Sequence, residues 1–382
     1  MKVNSIPCYW AYVVLASVMS TPVLGIQELR ADEEIATFDH YIKQISLVPS
    51  IEGQFTQIYV RERVKPSMLE GSESLEGQVV LFVHGSSLPA YVAFDLPHEN
   101  YSWMKFLANN GFDVFSVDMT GYGRSTRPNV MNDPCNLPEE NRKLLGIEPV
   151  ECEASYPYRI TTAASDGADI ERAVQYILEL RKISRLSMVG WSSGSIRVGG
   201  FAAKNLENID RIVLFAPRYD RTSASTAPSE MRNEPGMRAA EESASFDSWN
   251  SRVNCAEQAD PNAQKILWST FAASDPVGAT WGSGGVRYPR TVQWGWNRDI
   301  ASKSTSPTLI ISGALDDDRN RKNATDLYED LGGKDKVFVD LACSSHFAQF
   351  ESNRETLFQA SLEWLRDGSV KGVRSGKIKL GK

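Results

Sequence analysis

The chain has 382 residues and a net charge of −7, with 42% apolar and 23% charged residues. Its length fits one large α/β domain with insertions, or about two and a half domains of roughly 150 residues, and its ordinary globular composition excludes a disordered, collagenous or polytopic membrane protein. Because 48 acidic residues exceed 41 basic ones, there is no overall positive field to attract nucleic acid or anionic lipid.

The first 25 residues have the pattern of an export signal. Lys2 precedes an apolar run over residues 10–19, and the run ends in small residues that include Val23 and Gly25 at the usual cleavage positions. We therefore expect a cleaved signal peptide over residues 1–25, a secreted or periplasmic protein, and no stable membrane insertion after cleavage. An uncleaved anchor is the alternative, although polar residues in the run make it poorly suited to spanning a bilayer.

Four cysteines would remain after cleavage, namely Cys135, Cys152, Cys255 and Cys343. An even number in an exported protein predicts two disulfides, and four cysteines allow three connectivities. Cys135 and Cys152 share one irregular stretch, so we expect them to pair with each other and Cys255 to pair with Cys343. Free buried thiols are the alternative, and the spacing does not resemble a zinc site.

Short β-branched runs alternate with helical patterns from residue 78 onward, which is typical of a parallel sheet built from βαβ units. The predicted strands cover residues 78–83, 112–118, 186–190, 212–215, 308–312 and 337–341. The predicted helices cover residues 98–110, 161–182, 194–206, 320–331 and 354–365. Two stretches break this rhythm, residues 126–159 and about 217–306, and the second is too long to be a bare loop.

The strongest local motif is Gly190-Trp-Ser192-Ser-Gly194, at the junction of a predicted buried strand and a helix. A nucleophilic serine on such a sharp turn needs small flanking residues so that strand and helix can approach each other. Gly199 and Gly200 in the following helix suit the same tight packing. A serine turn without chemistry is the alternative interpretation.

A serine hydroxyl needs an adjacent base and an acid that orients the base. His346 follows the last predicted strand and is the best candidate base among four histidines. Asp316 leaves a buried strand 30 residues earlier and is the candidate acid. Asp220 and Asp317 are rivals, and the alternative role for Asp317 and its neighbour Asp318 is to cap the next helix.

These residues, in this order, resemble the α/β-hydrolase fold family. Two further segments carry the resemblance, His84-Gly-Ser-Ser87 after one strand and Asp118–Ser125 after the next. The resemblance covers roughly residues 55–366 and points to capped serine hydrolases of the esterase and proline-iminopeptidase branch. Epoxide hydrolases and haloalkane dehalogenases have Asp at the nucleophile position, which Ser192 occupies here, so those two reactions are disfavoured.

The resemblance implies a mostly parallel central sheet flanked by helices, with a cap inserted after the sixth strand. It implies Ser192 as nucleophile, His346 as base, Asp316 as orienting acid, and the backbone N–H groups of Ser86 and Ser193 as the oxyanion hole. His84 is expected to support the oxyanion loop, and the loop after Asp118 to be structural.

The expected organisation is a first core part at residues 26–216, a cap at 217–306, a second core part at 307–367 and a flexible basic tail at 368–382. The tail carries five basic residues and no acid, and a binding arm is its alternative interpretation.

The resulting hypothesis is a secreted serine hydrolase that cleaves a small-molecule carboxylic ester. No motif predicts a metal or nucleotide cofactor, and no nucleic-acid partner is expected. One alternative is an aminopeptidase whose cap acids bind a substrate amine. The acids available for that role are Glu230, Glu234, Glu241 and Glu242. A C–C bond hydrolase and a non-catalytic binding relative are further alternatives.

Overall fold

Nine strands join into one central sheet in the computed structural model, which describes residue 1, residues 33–231 and residues 233–381. The strands of the described part are β1 (Ala36–Ile45), β2 (Phe55–Val64), β3 (Val79–Val83), β4 (Asp113–Asp118), β5 (Thr161–Thr162), β6 (Leu186–Trp191), β7 (Ile209–Phe215), β8 (Met237–Ala240), β9 (Val286–Pro289), β10 (Thr291–Val292), β11 (Thr308–Gly313), β12 (Lys336–Leu341) and β13 (Gly376–Leu380). The helices are α1 (Pro66–Glu70), α2 (Ala90–Phe94), α3 (Trp103–Asn109), α4 (Glu139–Leu145), α5 (Ala163–Arg181), α6 (Ser193–Ala202), α7 (Glu242–Asn250), α8 (Pro261–Ala272), α9 (Arg298–Ala301), α10 (Asp318–Asp330) and α11 (Arg354–Asp367). The predicted signal peptide, apart from Met1, lies outside the described residues.

The sheet has the strand order β1-β2-β4-β3-β6-β7-β11-β12-β13. β2 pairs antiparallel with both β1 and β4, and every later neighbour in this order pairs parallel. The carboxyl ends of the parallel strands therefore lie at one edge of the sheet, which is where open α/β sheets place their sites.

Helices cover both faces of the sheet, as the alternation along β3 shows. Val80 and Phe82 belong to a hydrophobic cluster with residues of α2, α3 and α11. Val79, Leu81 and Val83 belong to a second cluster with residues of α5, α6 and α10. A strand that is buried on both faces has a continuous apolar sequence, which is why these runs could be identified from the sequence.

All six predicted strands and all five predicted helices are present, with small changes at their ends. The largest change is in α3, which begins at Trp103 rather than near residue 98. Ser102 is its N-cap, and the Ser102 hydroxyl accepts a hydrogen bond from the backbone N–H of Lys105. This bond satisfies one of the donors left free at a helix start.

The expected flexible basic tail at residues 368–382 contains a strand, β13, which was not predicted from the sequence. Residues Val337–Leu341 of β12 pair parallel with β13. Ile378 and Leu380 pack against the hydrophobic core, while Lys377 and Lys379, which alternate with them, are exposed. This alternation is the pattern of a half-buried strand, and the density of lysines concealed it.

The stretch between β7 and β11 contains its own secondary structure. β8 and β9 pair antiparallel, and α7 and α8 lie between them. Met237 and Ala239 of β8 share a third hydrophobic cluster with Leu145 and Ile160 from the earlier irregular stretch. Both irregular stretches therefore pack together. Whether this assembly acts as a lid remains a prediction.

The predicted disulfide connectivity is confirmed. Cys135 pairs with Cys152, and Cys255 pairs with Cys343, with Cα–Cα distances of 5.6 and 5.7 Å. Within the described residues, no helix combines the length and the apolar character needed to cross a bilayer.

Candidate active site

Ser192 lies on a strained turn between β6 and α6. Its backbone has φ 54° and ψ −120°, a region that residues with a Cβ rarely occupy and that is found at functional sites. A Cβ added at Gly194 would lie 2.2 Å from the carbonyl oxygen of Val83, and one at Gly190 would lie 2.8 Å from that of Gly194. Both glycines are therefore required, as the motif predicted. Gly199 is equally confined, against Trp296, whereas Gly200 has room for a methyl group.

His346 and Asp316 form a hydrogen-bonded pair beyond the ends of β12 and β11. The Nδ1 of His346 lies 2.7 Å from the Oδ2 of Asp316. Burial alone would raise the pKa of the Asp316 carboxyl, but the hydrogen bond and charge of His346 bring this pKa below its usual value. Asp316 is therefore an anion at neutral pH, and it can hold the imidazole and stabilise its protonated form.

The rivals of Asp316 have other partners. Asp317 is the N-cap of α10 and accepts a hydrogen bond from the backbone N–H of Asn320, as the capping alternative predicted. Asp220 is exposed, and its carboxylate accepts hydrogen bonds from the backbone and hydroxyl of Thr222. Neither carboxylate contacts His346 among the described hydrogen bonds.

Asn320 supports the acid and was not identified from the sequence. Its side-chain nitrogen donates to Asp316 Oδ1 at 3.0 Å and to Asp317 Oδ2 at 3.0 Å. The residue is buried at the start of α10. A polar residue one turn after a candidate acid is the only local signal, and it is a weak one.

The loop that carries His346 is fixed from three sides. The indole N–H of Trp191 donates to the backbone oxygen of His346 at 2.9 Å, so the residue before Ser192 contacts the candidate base directly. The fully buried Glu351 accepts hydrogen bonds from Ser345 and from the indole of Trp249. The disulfide to Cys255 ties the start of the loop to the stretch after α7.

Ser192 and His346 are adjacent through Trp191 but are not hydrogen-bonded to each other. Among the described residues, the Oγ of Ser192 makes no side-chain hydrogen bond. In unliganded enzymes the bond between nucleophile and base is often long and tightens only with substrate. The arrangement is therefore compatible with the predicted pair.

The loop after β3 brings further backbone donors to the same place. A Cβ added at Gly85 would lie 3.2 Å from the Cβ of Ser192, so this loop passes directly beside the serine. The backbone N–H groups of Ser86 and Ser193 donate to no protein acceptor within the described part of the chain. Two free N–H groups beside the candidate nucleophile are what the expected oxyanion hole requires.

Two buried side chains hold this loop. Arg197 donates to the carbonyl oxygens of His84 and Gly85 at 2.9 and 3.1 Å and pairs with Asp166 at 2.7 Å. The hydroxyl of Tyr122 donates to the carbonyl oxygen of Ser86 at 2.7 Å. Neither contact was predicted from the sequence, because Arg197 lies outside the quoted motifs and Tyr122 lies in one whose side-chain partners the sequence does not reveal.

His84 supports the loop as a neutral imidazole. Burial, together with the charge of Arg197, lowers the pKa of His84 well below its usual value. Its Nδ1 lies 2.7 Å from the oxygen of Gly85, and its Nε2 accepts the N–H of Met119 at 3.1 Å. Both ring nitrogens are thus engaged, in agreement with the predicted supporting role.

The loop after Asp118 is structural in the same sense. The Asp118 carboxylate accepts the backbone N–H groups of Ala90 and Arg124. Burial raises its pKa to about 6, against the effect of these hydrogen bonds. A Cβ at Gly123 would lie 1.9 Å from this carboxylate, which explains the glycine.

Two cavities flank the site. The larger, about 1150 Å³, is lined by Ser86 and Ser193 together with many basic residues. The smaller, about 420 Å³, is mostly apolar, and its walls include Leu88, Trp249, Trp268 and Phe347. Arg238 and Tyr288 line both cavities, and the loop after β3 contributes Ser86 to the larger and Ser87 to the smaller. Within residues 33–231 and 233–381, no group of three or more His, Cys, Asp or Glu side chains could hold a metal ion.

Known proteins share the fold of this chain. The family model of the alpha/beta hydrolase fold matches residues 78–352. An esterase from Exiguobacterium antarcticum superposes with a TM-score of 0.51 at 15% identity, over 86% of this chain and 99% of its own. A serine hydrolase involved in carbazole degradation (CarC enzyme) gives 0.50 at 14% identity, over 85% and 99%. At these identities the two structures show likeness of fold alone, and no curated protein matches the chain.

Proposed function

Since the chain belongs to the alpha/beta hydrolase fold family, we propose that it is a serine hydrolase that cleaves carboxylic esters through an acyl-enzyme. The observation that carries the proposal is the hydrogen-bonded pair of Asp316 and His346, whose backbone contacts the residue before Ser192. A base held in this way, next to a strained serine with free N–H donors beside it, has the parts needed for acyl transfer.

In the proposed reaction, the Oγ of Ser192 attacks the ester carbonyl carbon while His346 takes the hydroxyl proton. The carbonyl oxygen becomes an anion that accepts hydrogen bonds from the N–H groups of Ser86 and Ser193, each worth about 2.7–4 kcal/mol of transition-state stabilisation. The C–O bond then breaks, and His346 gives its proton to the departing alcohol. Water repeats the sequence on the acyl-enzyme, releases the acid and restores Ser192.

The smaller cavity supports an apolar group on one side of the ester. Its walls come from α7 and α8, from the loop after β3 and from Phe347, which follows the base. Burial of an apolar group there is worth about 25 cal/mol per Å². The tryptophans of this region thus have two roles, since Trp249 also packs under the His346 loop by contact with Phe347.

The aminopeptidase alternative has less support, because two of its candidate acids are already engaged. Glu234 pairs with Arg159 at 2.7 Å and with Arg290 at 3.1 Å. Glu241 caps α7 and accepts the N–H groups of Ser243 and Ala244. An ammonium group placed near Glu234 would also face those two arginines.

We also propose that the protein is exported. The two disulfides support this, because disulfides persist in oxidising compartments. Expression with residues 1–25 intact, followed by N-terminal sequencing of the secreted product, tests both the export and the cleavage position.

Activity-based labelling and a matched substrate pair test the catalytic proposal. We expect a fluorophosphonate to modify Ser192 in the native protein, p-nitrophenyl acyl esters to turn over faster than the matching arylamides, and Ser192→Ala to abolish both labelling and turnover. Ser375→Ala, at an exposed position, is the control and should behave as the native protein. Faster hydrolysis of the arylamides would favour the aminopeptidase. A native protein that is neither labelled nor active on any of these substrates would favour a binding relative.

A further inference from the structure

The larger cavity has a charge opposite to that of the protein. Its lining contains eight Lys and Arg residues and only two carboxylates, Asp220 and Asp326, whereas the whole chain carries −7. A cleft lined by one sign of charge concentrates ligands of the other sign. The cavity also reaches Ser86 and Ser193, so this charge lies beside the proposed reacting centre.

Three of the eight cations are neutralised by close partners. Arg197 pairs with Asp166 under the oxyanion loop. Arg221 pairs with Asp330 at 2.8 Å and with Asp326 at 3.2 Å, and Lys322 pairs with Asp326 at 2.6 Å. These three cations are structural, and the positive charge comes from the remaining five.

Two of the five are unpaired. The side chains of Arg218 and Arg319 make no hydrogen bond or ion pair within the part of the chain that the structure describes, and both are exposed to solvent. Desolvation by burial, followed by the like charge of Arg319, lowers the pKa of Arg218 against the smaller opposing effect of the Asp317 carboxylate. An anion between them would relieve this repulsion. Arg218 is also close to the nucleophile, since its backbone N–H donates to the carbonyl oxygen of Ser192 at 3.2 Å.

The other three cations are only partly balanced by neighbouring carboxylates. Arg159 and Arg290 share Glu234, while Arg238 lies 4.0 Å from the exposed Glu140. Burial and then the charge of Arg159 lower the pKa of Arg290. This side of the cavity therefore also has an excess of positive charge, presented by guanidinium groups that bind carboxylates through two parallel hydrogen bonds.

We propose that the natural substrate is an ester with a carboxylate on one side and an apolar group on the other. The inference rests on the proposed esterase function. The carboxylate lies in the larger cavity, held by Arg218 with Arg319. The apolar group lies in the smaller cavity, and the scissile carbonyl lies between them at Ser192.

Matched ester pairs test the proposal. Monobenzyl succinate, adipate and suberate carry the carboxylate on the acyl side, and 6-benzoyloxyhexanoate carries it on the alcohol side. The methyl ester of each acid is the neutral control. We expect kcat/KM for at least one acid to exceed that of its methyl ester about tenfold or more, as one charge-assisted contact provides. Added salt should reduce this preference and leave the neutral esters unaffected.

Substitutions locate the anion site. Arg218→Gln and Arg319→Gln should each lower the ratio of kcat/KM between acid and methyl ester about tenfold, with little change for the methyl ester. Arg319 is exposed on α10, so its variant remains informative if Arg218→Gln does not fold. Arg374→Gln removes an exposed arginine that does not line the cavity and should leave the ratio unchanged.

Failure of this inference differs from failure of the esterase proposal. Methyl esters that turn over as fast as every acid, or a preference that survives both arginine substitutions, would overturn the anion site and leave the esterase intact. If no ester is hydrolysed, calorimetry of monobenzyl adipate with Ser192→Ala decides. Binding that Arg218→Gln or Arg319→Gln weakens supports the anion site, and no binding overturns it.

Discussion

Gly194→Ala should abolish most of the activity although it adds one methyl group. The new Cβ would lie 2.2 Å from the carbonyl oxygen of Val83 and 2.7 Å from that of His84, where ordinary contact begins at 3.4 Å. Both oxygens belong to the backbone that leads from β3 into the oxyanion loop, and Arg197 and the neighbouring strands hold this backbone. The clash is therefore relieved by moving the start of α6, with Ser192 and Ser193, away from Ser86.

A shift of about 1 Å in a reacting group costs about a hundredfold in rate, and loss of one oxyanion donor costs about a hundredfold to a thousandfold in kcat. We expect kcat to fall at least a hundredfold, together with about 1–3 kcal/mol of stability from overpacking. Steady-state kinetics on a p-nitrophenyl ester and thermal unfolding measure the two effects.

Gly200→Ala is the matched control in the same helix. A Cβ at Gly200 would have its nearest neighbour at 3.6 Å, an ordinary contact. Alanine within a helix should raise stability by roughly 0.5–1 kcal/mol and leave kcat unchanged. A Gly194→Ala enzyme with native kcat, or equal losses in both variants, would refute the idea that the close contact at Gly194 positions Ser192 and Ser193.

Asp316→Asn should lower kcat by up to about 10⁴ while Asp220→Asn has little effect, and the reverse result with both variants folded would assign the acid to the residue that follows β7. Replacing Cys255 and Cys343 by serine opens a loop of 88 residues, and the loss of stability, about 4–5 kcal/mol in the chain-entropy model, should exceed that for the shorter Cys135–Cys152 loop; equal melting temperatures of the two double variants would contradict this. Burial and the charge of Glu62 raise the pKa of Asp113 to about 7 against the effect of Arg181, so between about pH 4 and 7 the folded state holds a proton that the unfolded chain has lost, and stability falls as pH rises. Asp113→Asn should flatten this fall in a series of melting curves, and an unchanged slope would show that another group causes it.

Sequence patterns predicted those elements whose identity depends on local chemistry. β3, β6 and β11 are buried on both faces, so apolar residues dominate their sequences without regular alternation. Ser192 could be placed because its turn demands Gly190 and Gly194 in the immediate neighbourhood. Asp316 and His346 could be paired because each follows the end of a predicted strand. Those strands, β11 and β12, are consecutive in a βαβ unit, and consecutive strands of such a unit are usually neighbours in the sheet.

Elements at the margins of the sheet were harder to predict. β1 and β2 form an antiparallel pair before the first predicted strand, and β1 exposes Phe38, Tyr41 and Ile45, so it lacks the clean alternation of apolar and polar residues. β13 alternates correctly but consists of lysines and small residues over much of its length. In both cases pairing with an existing strand stabilises the segment, and this energy is absent from the local sequence.

The supports of the site and the charge of the larger cavity depended on tertiary structure alone. The loop after β3 is held by Arg197 and Tyr122, which are distant from it in sequence. Asn320 is only four residues from Asp316, but its contact with that carboxylate depends on how the start of α10 packs. Arg159, Arg218, Arg290 and Arg319 come from four separate stretches of a chain whose net charge is negative. Local sequence predicted the candidate reacting groups, because Ser192 needs small neighbours and because Asp316 and His346 each follow a buried strand. Only folding decides which charges share a cavity, since Coulomb energy depends on distance in space and not along the chain.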